Sequence, residues 1–333
     1  MLGVKRRLAK SASAKPLDDT RALKKLRLCE DGRVKGGKFR RINELLYTLP
    51  SDEALHQLKA ERSLNHATHY HEGYDEQMTK WPCHPLDKIL PAVKRKIETE
   101  NARVILDIGC GSCRVHRELS TMTGGQASGQ TEMGLERKGA VVIAVDFAAP
   151  VGRGLPPKRA TAEEYIKRGG FLECSAAHVA LPDDCADVAI FSLSLMGTDW
   201  PTFIGEAVRL VKKKGSVFIA EVSSRFKQPG KFIRELNRCG LVLVKQQDLD
   251  SYFSIMTFRV QDKSKFDQQL ISADGLKPCL YNRTKAHKTD KDSPSDTRSN
   301  GHMHKEKHPP VNTGQTYGKW KPNSTAADRT GRN

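Results

Sequence analysis

Within Val104-Ile105-Leu106-Asp107-Ile108-Gly109-Cys110-Gly111 a continuous apolar run, a carboxylate and two glycines follow one another. That succession suits a nucleotide-bearing ligand held at the carboxyl end of a buried parallel strand. Glycine at the turn lets the ligand approach the backbone and permits positive φ. Further along, Val141-Val142-Ile143-Ala144-Val145-Asp146 repeats the pattern, an apolar run closed by a carboxylate. Two such strand ends side by side suit the ribose and amino-acid parts of one adenosine-bearing molecule. A dinucleotide is the first rival, but its fingerprint needs a third small residue where the helix faces a pyrophosphate, and this chain has Arg114 there. A ligand without pyrophosphate, S-adenosylmethionine, fits the Asp107-x-Gly109-x-Gly111 loop better. The rival to any ligand is a glycine-turned strand in a ligand-free α/β domain.

The elements around the loop alternate. Ile42, Leu45, Leu46 and Leu49 fall at helical spacing, Pro50 stops that helix, and Ser51-Asp52-Glu53 opens another with acids in its first turn. Trp81-Pro82 ends a further helix and Pro85 opens one that runs to about Ile97. Strands are expected at Phe171–Cys174, Val188–Leu193, Val217–Val222, Leu241–Val244 and Tyr252–Val260, the last two antiparallel, with helices at Phe203–Val211 and Phe232–Cys239. Such alternation implies a mostly parallel sheet covered on both faces. Gly-rich Thr123–Gly134 and Pro/Gly-rich Pro150–Gly170 read as surface loops. The expected organisation is a basic disordered arm over 1–38, a helical cap over 39–102, a catalytic domain over 103–260 and a basic disordered tail over 261–333.

Charge is concentrated in the arms. The net formal charge is +17; residues 1–41 hold 14 Lys or Arg against 4 Asp or Glu, residues 261–333 hold 14 against 8, and the body between them carries only +1. Cationic arms on a near-neutral body suit a polyanionic partner such as RNA, though tails of this kind also serve solubility alone. Lys5-Arg6-Arg7 and Lys24-Lys25-Leu26-Arg27 match nuclear-import patterns, no apolar run is long enough for a membrane span, and Met1–Lys10 lacks the apolar core of a secretory signal. The 8 irregularly spaced cysteines point to free thiols. No metal site is expected. Cys110-x-x-Cys113 has no second pair, and His66, His69 and His71 lack a spaced carboxylate or thiol to complete a shell.

Four segments carry a resemblance: Phe39-Arg40-Arg41-Ile42-Asn43-Glu44-Leu45-Leu46-Tyr47-Thr48, Tyr70-His71-Glu72-Gly73-Tyr74 leading to Trp81-Pro82, Phe191-Ser192-Leu193-Ser194-Leu195-Met196-Gly197-Thr198-Asp199, and Ala220-Glu221-Val222-Ser223-Ser224-Arg225-Phe226. From about Phe39 to Val260 the chain closely resembles the ribosomal RNA-processing protein 8 family. The resemblance implies a Rossmann-like, class I S-adenosylmethionine-dependent methyltransferase with a seven-stranded sheet and an N-terminal helical cap. It implies a nucleolar enzyme that methylates N1 of an adenine in large-subunit ribosomal RNA.

Carried over residue by residue, the cofactor contacts would be His71, Gly109, Asp146, Ser175, Ala176 and Ser192, beside Asp107 and Gly111 of the loop. The chain departs from the family at Cys174-Ser175-Ala176-Ala177, where Cys-Asp-Met-Ala is usual, and at Asp199, where Asn is usual. Losing the aspartate removes the carboxylate expected to accept the adenine amino group, which weakens that contact by about 1 kcal/mol. Met196, Gly197, Thr198 and Asp199 are the candidates for the target-base pocket. Glu221 stands open between a proton acceptor and a structural hydrogen-bond acceptor. Two other readings remain: a methyltransferase-like scaffold in a nucleolar or chromatin complex, and a small-molecule methyltransferase, which has no use for cationic arms.

Overall fold

A computed structural model of the chain describes residues 36–60, 66–119, 139–149 and 156–280. The arm up to residue 35, the Thr123–Gly134 insertion and the tail beyond 280 lie outside the described residues. So does the start of the Pro150–Gly170 loop.

Four helices precede the sheet: α1 over 36–48, α2 (Ser51–Ala60), α3 (His66–Met78) and α4 (Leu86–Thr99). Pro50 separates α1 from α2, and the pyrrolidine of Pro85 sits where α4 begins, a place where a missing N–H costs nothing. Helix α1 already includes Gly36 and Gly37, so the cap starts earlier than the expected boundary at residue 39. Phe39, Ile42 and Leu46 of α1 pack with Ala54 and Leu58 of α2 and Tyr70 of α3 into a small core of their own.

Strands β1 (Val104–Ile108), β2 (Val141–Asp146), β3 (Gly170–Glu173), β4 (Ala186–Ser192), β5 (Val211–Val222), β6 (Leu241–Leu249) and β7 (Phe253–Val260) form one sheet in the order β3-β2-β1-β4-β5-β7-β6. Helices α5 (Arg114–Leu119), α6 (Ala162–Arg168), α7 (Trp200–Leu210) and α8 (Pro229–Arg238) complete the alternation. Strand β1 is buried along its whole length, as its unbroken apolar run requires of a parallel strand covered on both faces. Strand β7 runs antiparallel to both its neighbours. The β6–β7 turn puts Asp250 and Ser251 at φ 50° and 57°, the positive values that match the twist of a tight hairpin. This is the class I methyltransferase sheet, with its switch point between β1 and β4.

Register decides what meets at that point. Ile108 pairs with Val145 and with Phe191, so Gly109, Asp146 and Ser192 come level at the tips of three adjacent strands.

The stretch following β7, expected to belong to a disordered tail, packs on the body as far as residue 280. Trp200 Nε1 donates to the Ala273 carbonyl at 2.7 Å, Ile271 and Leu276 are buried, and Phe266 fills the space that Gly205 leaves on α7. Asn43 Nδ2 donates to the Cys279 carbonyl at 2.8 Å, so the strap reaches the cap. Its apolar residues are far apart and set in short 3-10 turns, which produce neither helical nor strand periodicity.

Candidate active site

The strand tips are pinned to one another by backbone geometry. Gly109 has φ +74°, and a Cβ there would lie 2.3 Å from Ser194 Cβ. Ser194 Oγ in turn donates to the Ile108 carbonyl at 2.6 Å, tying the chain after β4 to the end of β1. Gly111 N donates to Asp146 Oδ2 at 2.9 Å and Phe147 N to Asp146 Oδ1 at 2.8 Å, so the glycine loop rests on the β2 carboxylate. Leu193 adopts φ +62°, an unusual conformation for a branched residue, at the point where the chain leaves β4 for this loop.

Helix α3 roofs the tips. His71, Tyr74, Asp75 and Met78 are three or four residues apart, so the helix turns one face down into the site. His71 Nε2 lies 3.9 Å from Asp146 Oδ1. Tyr70 Oη donates to Met196 Sδ at 3.3 Å, and the Phe147 ring tilts against Tyr70 and His71. Gly73 allows α1 to approach, since a Cβ there would meet the Phe39 ring at 2.7 Å. Between roof and sheet lies a cavity of about 660 Å³, large enough for a small-molecule ligand.

Electrostatics favour a cation inside. Burial, and then the nearby Asp146 charge, push the Asp107 carboxyl up to about 7. Asp146 is also raised by burial, against the opposing pull of His71 and of its backbone donors. His84, at the other end of the cavity, is held neutral: burial and the Arg114 charge push it down to about 4. Its Nδ1 accepts from Leu86 N at 3.1 Å, which caps α4.

A family model described as a hypothetical methyltransferase matches residues 26–133 and 168–284, and a methyltransferase-domain model matches residues 106–219. Ribosomal RNA-processing protein 8 of Drosophila melanogaster is 32% identical over 248 residues, 74% of this chain and 58% of that protein. The 25S rRNA (adenine(645)-N(1))-methyltransferase of Schizosaccharomyces pombe is 30% identical over 261 residues, 75% of this chain and 70% of that one. The chain belongs to the ribosomal RNA-processing protein 8 family. It thus spans little more than half the length of the fly member. Among solved structures, a Burkholderia thailandensis 1,6-didemethyltoxoflavin-N1-methyltransferase with bound S-adenosylhomocysteine has a TM-score of 0.40 at 16% identity, covering 59% of this chain and 87% of that one.

In this member of the ribosomal RNA-processing protein 8 family, His71, Asp107, Gly109, Gly111, Asp146, Ser175, Ala176 and Ser192 all line the one cavity. S-adenosylmethionine fits that set. Two buried carboxylates face a space suited to a sulfonium and an ammonium, the Gly109 turn has no room for a side chain, and the buried His71 Nδ1 and Ser192 Oγ lack a protein partner.

Of the four base-pocket candidates only Met196 lines the cavity. Gly197, Thr198 and Asp199 instead hold the α1–α2 turn: Thr198 N donates to the Leu49 carbonyl at 3.2 Å, and the Asp199 carboxylate accepts from Ser51. A Cβ on Gly197, whose φ is +85°, would press on Asp199 Oδ1 and the Leu49 carbonyl. Here the glycine lets the chain after β4 approach the α1–α2 turn.

Glu221 is a structural acceptor. Fully buried, it takes Leu195 N at 3.0 Å and pairs with Arg225 Nη1 at 2.5 Å, while Arg225 Nη2 donates to the Leu195 carbonyl and the guanidinium lies over the Tyr47 ring. Sequence reasoning did not single out Tyr74, Asp75, Met78, His84 and Ser194 as lining residues. Helical spacing from His71 carries the signal for the first three. The other two depend on how α4 and the chain after β4 fold back. Cys110 and Cys113 have their sulfurs 3.5 Å apart, and hydrogen bonding with burial raises the Cys110 thiol well above its usual range. Among the described residues no group of three His, Cys, Asp or Glu is placed to hold a metal.

Proposed function

We propose that this chain transfers a methyl group from S-adenosylmethionine to N1 of an adenine in large-subunit ribosomal RNA. The observation that carries the reading is the convergence of Asp107, Gly109, Asp146 and Ser192 in one roofed cavity with His71 above them. When bound, S-adenosylmethionine supplies a methyl already activated on a sulfonium. Asp107 and Asp146 would provide the negative field for its cationic groups, and Asp146 would accept from its ribose hydroxyls. Tyr70, His71 and Phe147 pack together over one side of the cavity, and an apolar cover of that kind strengthens electrostatic contacts beneath it. No side chain need remove a proton from the nucleophile, because the in-plane N1 lone pair of adenine is free at neutral pH. Alignment is what the protein provides, and holding two reactants in line is worth several kcal/mol. The Watson–Crick edge is hidden in a duplex, so the target base must be looped or flipped to reach the space beside Met196.

The cationic arms suit the surrounding phosphates, and the reading puts the protein in the nucleolus. Mapping 1-methyladenosine by reverse-transcription stops in ribosomal RNA tests it. Removing the gene is expected to abolish one stop in large-subunit RNA, and an unchanged stop overturns the assignment. One observation favours a second reading, a methyltransferase-like scaffold: the Ser175–Ala176 end of the cavity offers no carboxylate. Absence of calorimetric heat with S-adenosylmethionine at high protein concentration would favour it.

A further inference from the structure

The cavity walls fall into two chemically different sets. Asp75, Asp107, Asp146 and the Gly109 turn make up one, the set suited to a cationic donor. The other belongs to the cap side. Leu46 of α1, Ser51 and Leu55 of α2, Tyr70 of α3 and Met196 after β4 line it, with no acidic or basic side chain among them.

Contacts join this second set into one surface. Tyr70 Oη donates to Met196 Sδ at 3.3 Å, Met196 packs against the cluster that holds Leu46 and Tyr70, and Ser51 is bonded to Asp199, three residues past Met196. Leu55 stands one helical turn beyond Ser51, on the same face of α2. Ser194, two residues before Met196, is bonded to the Ile108 carbonyl at the tip of β1, so the surface borders the donor cradle.

Apolar walls with one small polar group suit a neutral, planar base, apolar on its faces and polar at its edge. The chemistry of that polar group is restricted. The Ser51 hydroxyl donates to Asp199 Oδ2 at 2.6 Å while Ser51 N donates to Oδ1 at 2.9 Å. An ionised carboxylate accepts and does not donate, so the hydroxyl hydrogen stays aimed at Asp199 and only lone pairs on Ser51 Oγ are left for a ligand.

We propose that Ser51 reads the base to be methylated. On the RNA-methyltransferase reading above, its hydroxyl accepts from the exocyclic amino group beside the attacked ring nitrogen, and Leu46, Leu55 and Met196 hold the ring. A hydroxyl that can only accept favours adenine, with its amino group at position 6, and opposes guanine and uracil, which would turn a carbonyl oxygen toward it. Asp199 acts through Ser51, by keeping the proton away from the base.

Single-turnover methylation by the full chain tests this, on synthetic RNA of the segment that carries the reverse-transcription stop, with adenosine or purine riboside at the target position. Purine riboside has hydrogen in place of the 6-amino group. Because that change also lowers the basicity of N1, the informative quantity is how the adenosine-to-purine-riboside rate ratio responds to substitution. Ser51→Ala is expected to lower the ratio by about fivefold or more, with S-adenosylhomocysteine affinity unchanged in calorimetry. A ratio that Ser51→Ala leaves unchanged overturns the role of Ser51 while the methyltransferase reading stands. Donor binding without methylation of either RNA by the unaltered protein overturns that reading and the role of Ser51 together. Ser51→Cys, close in size but a weak acceptor, should lower the ratio likewise and decides alone should Ser51→Ala fail to fold.

Discussion

Ser51 donates both its backbone N–H and its hydroxyl to the carboxylate of Asp199, at 2.9 and 2.6 Å. The pair joins the first turn of α2 to the loop that follows β4, and so sets the height of the cap above the strand tips. An anion at a helix start also meets the positive end of the helix dipole. Replacing Asp199 with Ala is expected to cost about 1–2 kcal/mol in urea unfolding, the usual loss on removing a capping acceptor. Asp199→Asn keeps one acceptor and should cost less than half as much. A larger loss of activity than of stability in Asp199→Asn would return this residue to the base pocket.

Gly109 and Gly111 sit two residues apart, yet only the first is sterically enclosed. Gly109→Ala adds a positive-φ penalty to a collision with Ser194, and is expected to destabilise the protein by about 2–4 kcal/mol and to abolish donor binding. At Gly111, with φ +50° and open space beside it, alanine should cost about 1–2 kcal/mol. Thermal unfolding and calorimetry of the two variants compare them directly, and equal effects would contradict this geometry.

Asp107 makes the fold and the site pH-dependent. Its carboxyl is raised from 3.8 to about 7 in the folded protein, so folding favours its protonated form. This contribution to stability is fully present below about pH 4 and is lost as pH rises through about 7. A cationic ligand favours the ionised form, so donor affinity should rise by about tenfold from pH 6 to pH 8, with proton release on binding near pH 6. Asp107→Asn should flatten the stability profile over this window. A slope unchanged in Asp107→Asn would assign the titration to another group.

Glu221 offers a sharp contrast between structural and chemical roles. Glu221→Gln leaves Arg225 buried without its counter-charge, which is expected to cost about 3–5 kcal/mol. Denaturant unfolding measures this. A Glu221→Gln protein of unaltered stability but much reduced turnover would instead make Glu221 a proton acceptor.

The strap after β7 makes truncation informative. Ending the chain after Val260 removes the acceptor for Trp200 Nε1, the Phe266 contact with α7 and the two Arg225 and Asn43 links at Lys277 and Cys279. That protein is expected to melt at least about 5 °C below one ending after Leu280. Equal melting temperatures would mean the strap contributes nothing to the fold.

Much of the site was legible because its signals are local. The apolar runs of β1 and β2, each with its carboxylate, and the glycines of the turn are properties of consecutive residues, so Asp107, Gly109, Gly111 and Asp146 could be named from the chain alone. The S-L-S-L-M-G-T string marks a loop that reaches the cavity, but its residues divide by direction: Ser192 and Met196 face the cavity, while Gly197 to Asp199 face α1 and α2. Nothing in a short string reports which neighbour a turn will face.

Tertiary structure alone set the pairing of Ile108 with Val145 and Phe191, which levels Gly109 with Asp146 and Ser192. It alone aimed Tyr74, Asp75 and Met78 into the site, gave Asp199 to Ser51, and laid Phe266, Ile271 and Leu276 across the body. Periodicity and turn chemistry act over a few residues, and so can be read along the chain. Register, roof and strap depend on contacts between residues far apart in sequence, where burial and hydrogen bonding are satisfied only once the whole sheet has closed.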